Sequence, residues 1–106
     1  MSYVNKDEFL KFSGLDLEVE FANGNFDIDE MPQVFINRVE DNAIAVLKNN
    51  YDNENFDNIV NKFLNEFKKG MCYQILDKLK HGETLTLDKT AKTIWTNIGL
   101  CNLRRY

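Results

Sequence analysis

A chain of 106 residues, 43% hydrophobic and 28% charged, is long enough to bury a single core without disulfide staples and too apolar for disorder to be the default. No apolar run approaches the ~18 residues that a membrane-spanning helix needs, and the opening MSYVNKDEF lacks the basic and apolar regions of a signal peptide, so synthesis in the cytosol is expected. One Pro and five Gly, with long helical periods, predict an all-α fold: a bundle of about four helices in one domain.

Charge is distributed unevenly. Residues 1–57 carry thirteen acids and four bases, a sum of −9, whereas residues 58–106 carry four acids and nine bases, a sum of +5. Helix-dipole preferences can produce such a split. Complementary ends that register one copy against another produce it equally well. The net charge of −4 and the lack of a dense basic patch disfavour duplex nucleic acid.

In chain order, Asn5 with Glu8 three residues on forms a capping box that opens a short helix over 5–13, ending at Ser13-Gly14. Phe9, Leu10 and Phe12 are expected to face the core. Between 15 and 30, Leu15, Leu17, Val19 and Phe21 alternate with acids, and Asn23-Gly24-Asn25 marks a turn. That pattern fits a small hairpin or an extended loop laid on a neighbour. Asp29-Glu30-Met31-Pro32 then starts a helix over 31–50, with Phe35, Val39, Ala43, Val46 and Leu47 as its buried stripe, widened by Ile36 and Ile44. Arg38, Glu40, Asp41 and Lys48 are assigned to its solvated face.

After an Asn-rich connection, the strongest period of the chain runs over 55–81. Phe56, Ile59, Val60, Phe63, Leu64, Phe67, Met71, Ile75 and Leu79 predict one continuous helix from Phe56 to Lys80, about 37 Å long, as the spine of the domain. Asn55 is its expected cap, and Phe63, Leu64 and Phe67 its buried residues. Gly70 inside it costs about 1 kcal/mol relative to Ala and predicts a close helix contact or a bend. Thr84 to Leu87 reads as an extended linker. Asp88 caps a last helix over 88–98, whose Ala91, Ile94, Trp95 and Ile98 face inward, and 99–106 reads as an extended tail ending Arg104-Arg105-Tyr106.

No residue pattern carries chemistry. Cys72, Cys101 and the single His81 lack the close spacing of a metal site, so two buried free thiols are expected. There is no phosphate-binding Gly-rich loop, nucleophile elbow or zinc-protease motif, and the carboxylates are scattered among caps and polar faces. The expectation is a protein that is not an enzyme and needs no cofactor or metal. Its candidate functional residues are those of an interface: Glu18, Glu20, Phe21 and Phe26 in the acidic segment, against Lys68, Lys69, Arg104, Arg105 and Tyr106 in the basic half.

The phrases EFLKFSGL near the start and LDKTAKTIWTNIGLCNLRRY at the close bracket a helix that follows an acidic loop and a long helix ending near Gly82. This order resembles the head–tail connector (head completion, or adaptor) proteins of tailed bacteriophages. Phe9-x-x-x-x-Gly14, the Asp88 cap, Ala91 with Ile94 and Trp95, and Gly99-Leu100 before Arg104 carry the likeness. The chain departs from that pattern at Lys89, where the family commonly has Pro, and in its long acidic segment between Gly14 and Pro32. The resemblance implies a structural virion protein that forms a ring between the portal and the tail, with the portal and neighbouring connector or tail proteins as partners. A small regulatory or inhibitory protein that binds one partner is the alternative that the acidic composition leaves open.

Overall fold

The computed structural model describes residues 2–51 and 55–101. Among them are six helices and no strand: α1 (Lys6–Ser13), α2 (Leu17–Ala22), α3 (Pro32–Asn50), α4 (Phe56–Lys62), α5 (Leu64–His81) and α6 (Lys89–Asn97). The fold is an all-helical bundle, as composition and periodicity predict. α5 lies at its centre, packing against α6, α3, α1 and α4, while α2 sits on α3.

The helix starts follow local chemistry. Asn5 accepts from the Glu8 amide at 2.8 Å and the Glu8 side chain accepts from the Asn5 amide, closing the capping box. Gly14, at φ 76°, ends α1 in the left-handed conformation and donates to Leu10 O. Asp88 Oδ2 accepts from the Ala91 amide at 3.0 Å and starts α6. Asn55, in contrast, makes no capping bond with its side chain.

The predicted spine is two helices. Phe63, at φ −119° and ψ 45°, ends α4 and begins α5. In one continuous helix Phe56 and Phe67 would share a face but stand three turns, about 16 Å, apart. Breaking at Phe63 folds α4 back so that their rings meet edge to face at 6.2 Å. The edge-to-face contact is one that an unbroken helix could not make, and i→i−4 bonds persist on both sides of the break, from the Phe63 amide to Ile59 O and from the Phe67 amide to Phe63 O. The break also turns Phe63 and Leu64 out of the core: Phe63 is half-buried and Leu64 is 37% exposed, so the expectation that both are buried is corrected.

Phe67 and Trp95 are fully buried and organise the core. Tyr3, Phe56 and Trp95, from three separate segments, surround the Phe67 ring at 5.0, 6.2 and 5.9 Å. The Trp95 indole N–H donates to Phe67 O at 3.2 Å, which requires α6 to approach the backbone of α5. Gly70 permits this approach. A Cβ there would collide with Trp95 Nε1 and stand 2.8 Å from Cε2, so of the two expectations for Gly70 the close contact is the one realised.

Four further expectations change. The 15–30 segment, read as hairpin or loop, contains α2, because Asp16 caps a turn by accepting from the Glu18 amide at 3.1 Å. Leu17 is then buried while Val19 is turned outward, which a strand would not allow for residues two apart. Leu10 is exposed, although Phe9 beside it is buried. Leu100 and Cys101 are buried, so the tail does not begin at 99; residues 102–106 lie outside the described part, as do 52–54 of the Asn-rich connection. Both cysteines are free and buried.

Glu40 is the fourth. Assigned to the solvated face of α3, it is 1% exposed. Its carboxylate accepts from the Tyr3 amide at 2.8 Å, the Val4 amide at 2.7 Å and the Ser2 hydroxyl at 3.1 Å. Burial pushes its carboxyl above the ordinary range, and these donors oppose that shift only in part. Gln33 completes the clasp by donating to Val4 O and accepting from the Lys6 amide. A carboxylate on one turn of α3 thus holds down the strap formed by residues 2–4.

Gly70→Ala separates a tight helix contact from an open one by its sign. At an open helical site it stabilises by about 1 kcal/mol. Overpacking against Trp95 is expected to reverse this and cost about 1–3 kcal/mol in urea unfolding. A stabilised variant would mean that α6 stands away from α5. For the strap, Glu40→Ala strands two backbone N–H groups, each worth about 1–3 kcal/mol if it stays buried. The Tyr3 and Val4 amides, both bonded to Glu40, are therefore expected to exchange their hydrogens at least about tenfold faster in the variant than in the wild type. Unchanged protection would assign the anchoring to Val4 packing alone.

Candidate protein-docking groove

The loop after α2 is closed by short-range bonds. Gly24, at φ 71°, donates to Phe21 O, the Asn25 amide donates to Glu20 O, and the Asn25 side-chain amide donates to the Glu20 carboxylate at 2.6 Å. Phe21 then lies edge to face between Phe26 at 6.3 Å and Phe35 of α3 at 5.8 Å. This aromatic ladder fastens α2 to α3. Pro32, whose missing N–H costs nothing at the first helical position, starts α3 after Asp29-Glu30-Met31.

Between α2 and the start of α3 the ladder leaves an open groove of about 440 Å³, lined by Glu18, Phe21, Ala22, Ile28, Asp29, Glu30, Met31 and Pro32. Five of these lining residues are apolar and three are acidic. Three large apolar residues of the same two elements stand in solvent: Val19 is 50% exposed, Met31 72% and Val34 48%. Met31, the most exposed of the three, is itself part of the groove's lining, and apolar surface left in solvent is where another protein can dock.

One cation fixes the lip. Arg38 of α3 binds both oxygens of Glu30, with Nη1 at 2.6 Å from Oε2, and both oxygens of Glu83, with Nε at 2.7 Å and Nη2 at 2.8 Å. The guanidinium fork therefore ties the loop before α3 to the turn after α5. It holds the Glu30 carboxyl below its ordinary value.

The sequence-predicted interface residues are only partly brought together. Glu18 and Phe21 line the groove, and Phe26 backs it through Phe21. Glu18 is also ion-paired with Lys6 of α1, and Glu20 is engaged by Asn25. Lys68 and Lys69 stand on α5, away from this groove. Lys68 pairs with Glu8 at 2.9 Å, a bond that holds the Glu8 carboxyl below its usual range, while Lys69 is exposed. Arg104, Arg105 and Tyr106 lie outside the described residues. Sequence reasoning did not single out Met31, Val34 or Arg38. The available signal was Val34, an apolar residue one position off the buried stripe of α3.

Among the described residues no three His, Cys, Asp or Glu side chains are grouped to hold a metal ion, and no helix is long and apolar enough to cross a membrane. A second recess, under the 83–87 segment, has room for about one water and is bridged by Lys78, whose ammonium donates to Thr84 at 3.0 Å and Thr86 at 3.3 Å. No protein-family model, curated protein or solved structure matches the chain.

The Arg38 clamp has a defined pH signature. Because the folded-state value of Glu30 is lowered, its stabilisation is present above the ordinary carboxylate value of 4.5 and is lost as pH falls through the lowered one. The stability difference between wild type and Arg38→Ala is expected to be constant from neutral pH to about 5, then to shrink toward pH 3, measured by urea unfolding. A difference that does not change with pH would show that Arg38 acts through packing on Phe35, whose ring centroid it approaches at 6.0 Å.

Proposed function

We propose that this chain is a non-catalytic structural protein of a tailed bacteriophage, a subunit of the head–tail connector ring that docks on the portal and joins the DNA-filled head to the tail. The observation that carries a docking role is the open groove lined by Phe21, Ala22, Ile28, Met31 and Pro32 together with three acids, in which Met31 is 72% exposed. The connector assignment is supported by the order of phrases, from the capped EFLKFSGL helix to the Asp88-capped helix with its Gly99-Leu100 ending. A helical domain built on one aromatic core gives such a subunit a rigid body, and an open groove gives it a face for a neighbour. In this reading the protein resides in the virion, and its partners are the portal, adjacent connector or tail proteins, and other copies of itself.

The test is genetic and compositional. Loss of the protein is expected to leave DNA-filled heads that do not join tails, with tails accumulating separately, and purified wild-type virions are expected to contain it. Normally tailed particles formed without it, or virions that lack it, overturn the connector assignment. They would favour the small regulatory binder instead.

A further inference from the structure

Glu40 is a buried acid with no cation beside it. It is 1% exposed, and among the described residues no lysine, arginine or histidine comes within ion-pairing distance of it. Asp41, next to it on α3, opposes its ionisation. Cys72 of α5, close enough to feel its charge, is a thiol kept neutral by burial, while Lys68 of α5 is paired with Glu8 of α1. The strap brings two amides, one hydroxyl and the Tyr3 phenol, whose ring packs edge-on against Phe67. A buried charge without a counter-ion is costly.

The clasp is also one hydrogen short. Ser2 Oγ lies 2.6 Å from Val4 O and 3.1 Å from Glu40 Oε2, and it receives the Gln33 side-chain amide at 3.2 Å. Two oxygens 2.6 Å apart need a hydrogen between them, and Val4 O, a carbonyl, has none to give. The single hydroxyl hydrogen of Ser2 is therefore committed to Val4 O. An ionised Glu40 has no hydrogen left on Ser2 to accept.

We propose that the clasp closes on a proton: when residues 2–4 dock on α3, Glu40 carries a hydrogen on Oε2 and donates it to Ser2 Oγ, so that raising the pH loosens the strap. The added hydrogen completes the network. Ser2 then donates to Val4 O and accepts from Glu40 and Gln33, which uses its one hydrogen and both lone pairs. Oε1 still accepts from the Tyr3 amide at 2.8 Å, and Oε2 keeps a lone pair for the Val4 amide at 2.7 Å. The same hydrogen removes the uncompensated charge. Lifting the strap returns the carboxyl to water, where it titrates near the ordinary value of 4.5, whereas burial in the closed clasp raises it. Closure is therefore strongest at and below about pH 4.5, weakens as pH rises through the higher closed-state value, and is level above that. The strap is thus a latch set by proton uptake, independent of the α2–α3 groove and of the connector assignment.

Carbon-detected NMR titration of the wild-type chain reads this carboxyl directly. The Glu40 Cδ resonance is expected to titrate with a midpoint above 4.5. Hydrogen exchange at the Tyr3 and Val4 amides, corrected for the intrinsic pH dependence of exchange, is expected to lose protection as pH rises through that midpoint. The loss is expected to be about tenfold for each pH unit by which the midpoint exceeds the ordinary value. Glu40→Gln, which cannot titrate, is expected to flatten this dependence while the fluorescence of Trp95, the single tryptophan, reports an intact core. A Glu40 midpoint at or below 4.5 overturns the proposal. So does protection that stays level or rises across the midpoint, or a pH dependence that survives in Glu40→Gln. If that variant does not fold, the two wild-type measurements decide the matter by themselves.

Discussion

The fold depends on the distance between two helices where α6 crosses α5. Trp95 can donate its indole proton to Phe67 O only because Gly70, one turn further along α5, has no side chain in the way. This places the largest buried side chain of the molecule against Phe67, and Phe67 in turn supplies the surface for Tyr3 and Phe56. The conformational cost of a mid-helix glycine, about 1 kcal/mol, is small beside the burial of a tryptophan and three further rings. Loosening this one approach would affect α6, α4 and the strap together.

The same demand for aromatic contact shapes the surface. Folding α4 back to bring Phe56 onto Phe67 forces the helix to break, and the break exposes Leu64. At the other site, holding the short α2 by Phe21 against Phe35 leaves Val19, Met31 and Val34 uncovered. A domain of this size, with six short-to-medium helices, does not bury every apolar stripe it makes. What it leaves uncovered is spread over the surface: Leu10 on α1, Val19 on α2, Met31 and Val34 at the start of α3, Leu64 at the α4–α5 break and Leu85 after α5.

Where local chemistry decides the structure, the sequence is readable: the Asn5 capping box, the Gly14 ending, the Asp88 cap and the 3.6-residue stripe of α3 each follow from neighbours a few positions away. Gly70 was readable as a forced choice between contact and bend. Three features were not readable, each for a tertiary reason. The period from Phe56 to Leu79 is continuous through Phe63, and only the meeting of Phe56 with Phe67 makes the break favourable. Leu17, Val19 and Phe21 alternate as a strand would, but Asp16 and the Phe35 ring select a helical turn. Glu40 looked solvated because its partners are backbone amides more than 35 residues away. The candidate groove was half visible, in Glu18 and Phe21; the clamp that shapes it joins Glu30 and Glu83 through Arg38 across 53 positions.

The two buried thiols give the molecule an internal clock. Burial, with Glu8 and Glu40 nearby, pushes the Cys72 thiol up to about 12, and burial pushes Cys101 up as well. Neither sulfur is a ready nucleophile while the helices are closed. Cys72 lies in α5, and Cys101 follows α6, so a thiol reagent reaches each only when the part of the bundle covering it opens. The two labelling rates therefore measure how often each part of the core breathes, in an unaltered chain.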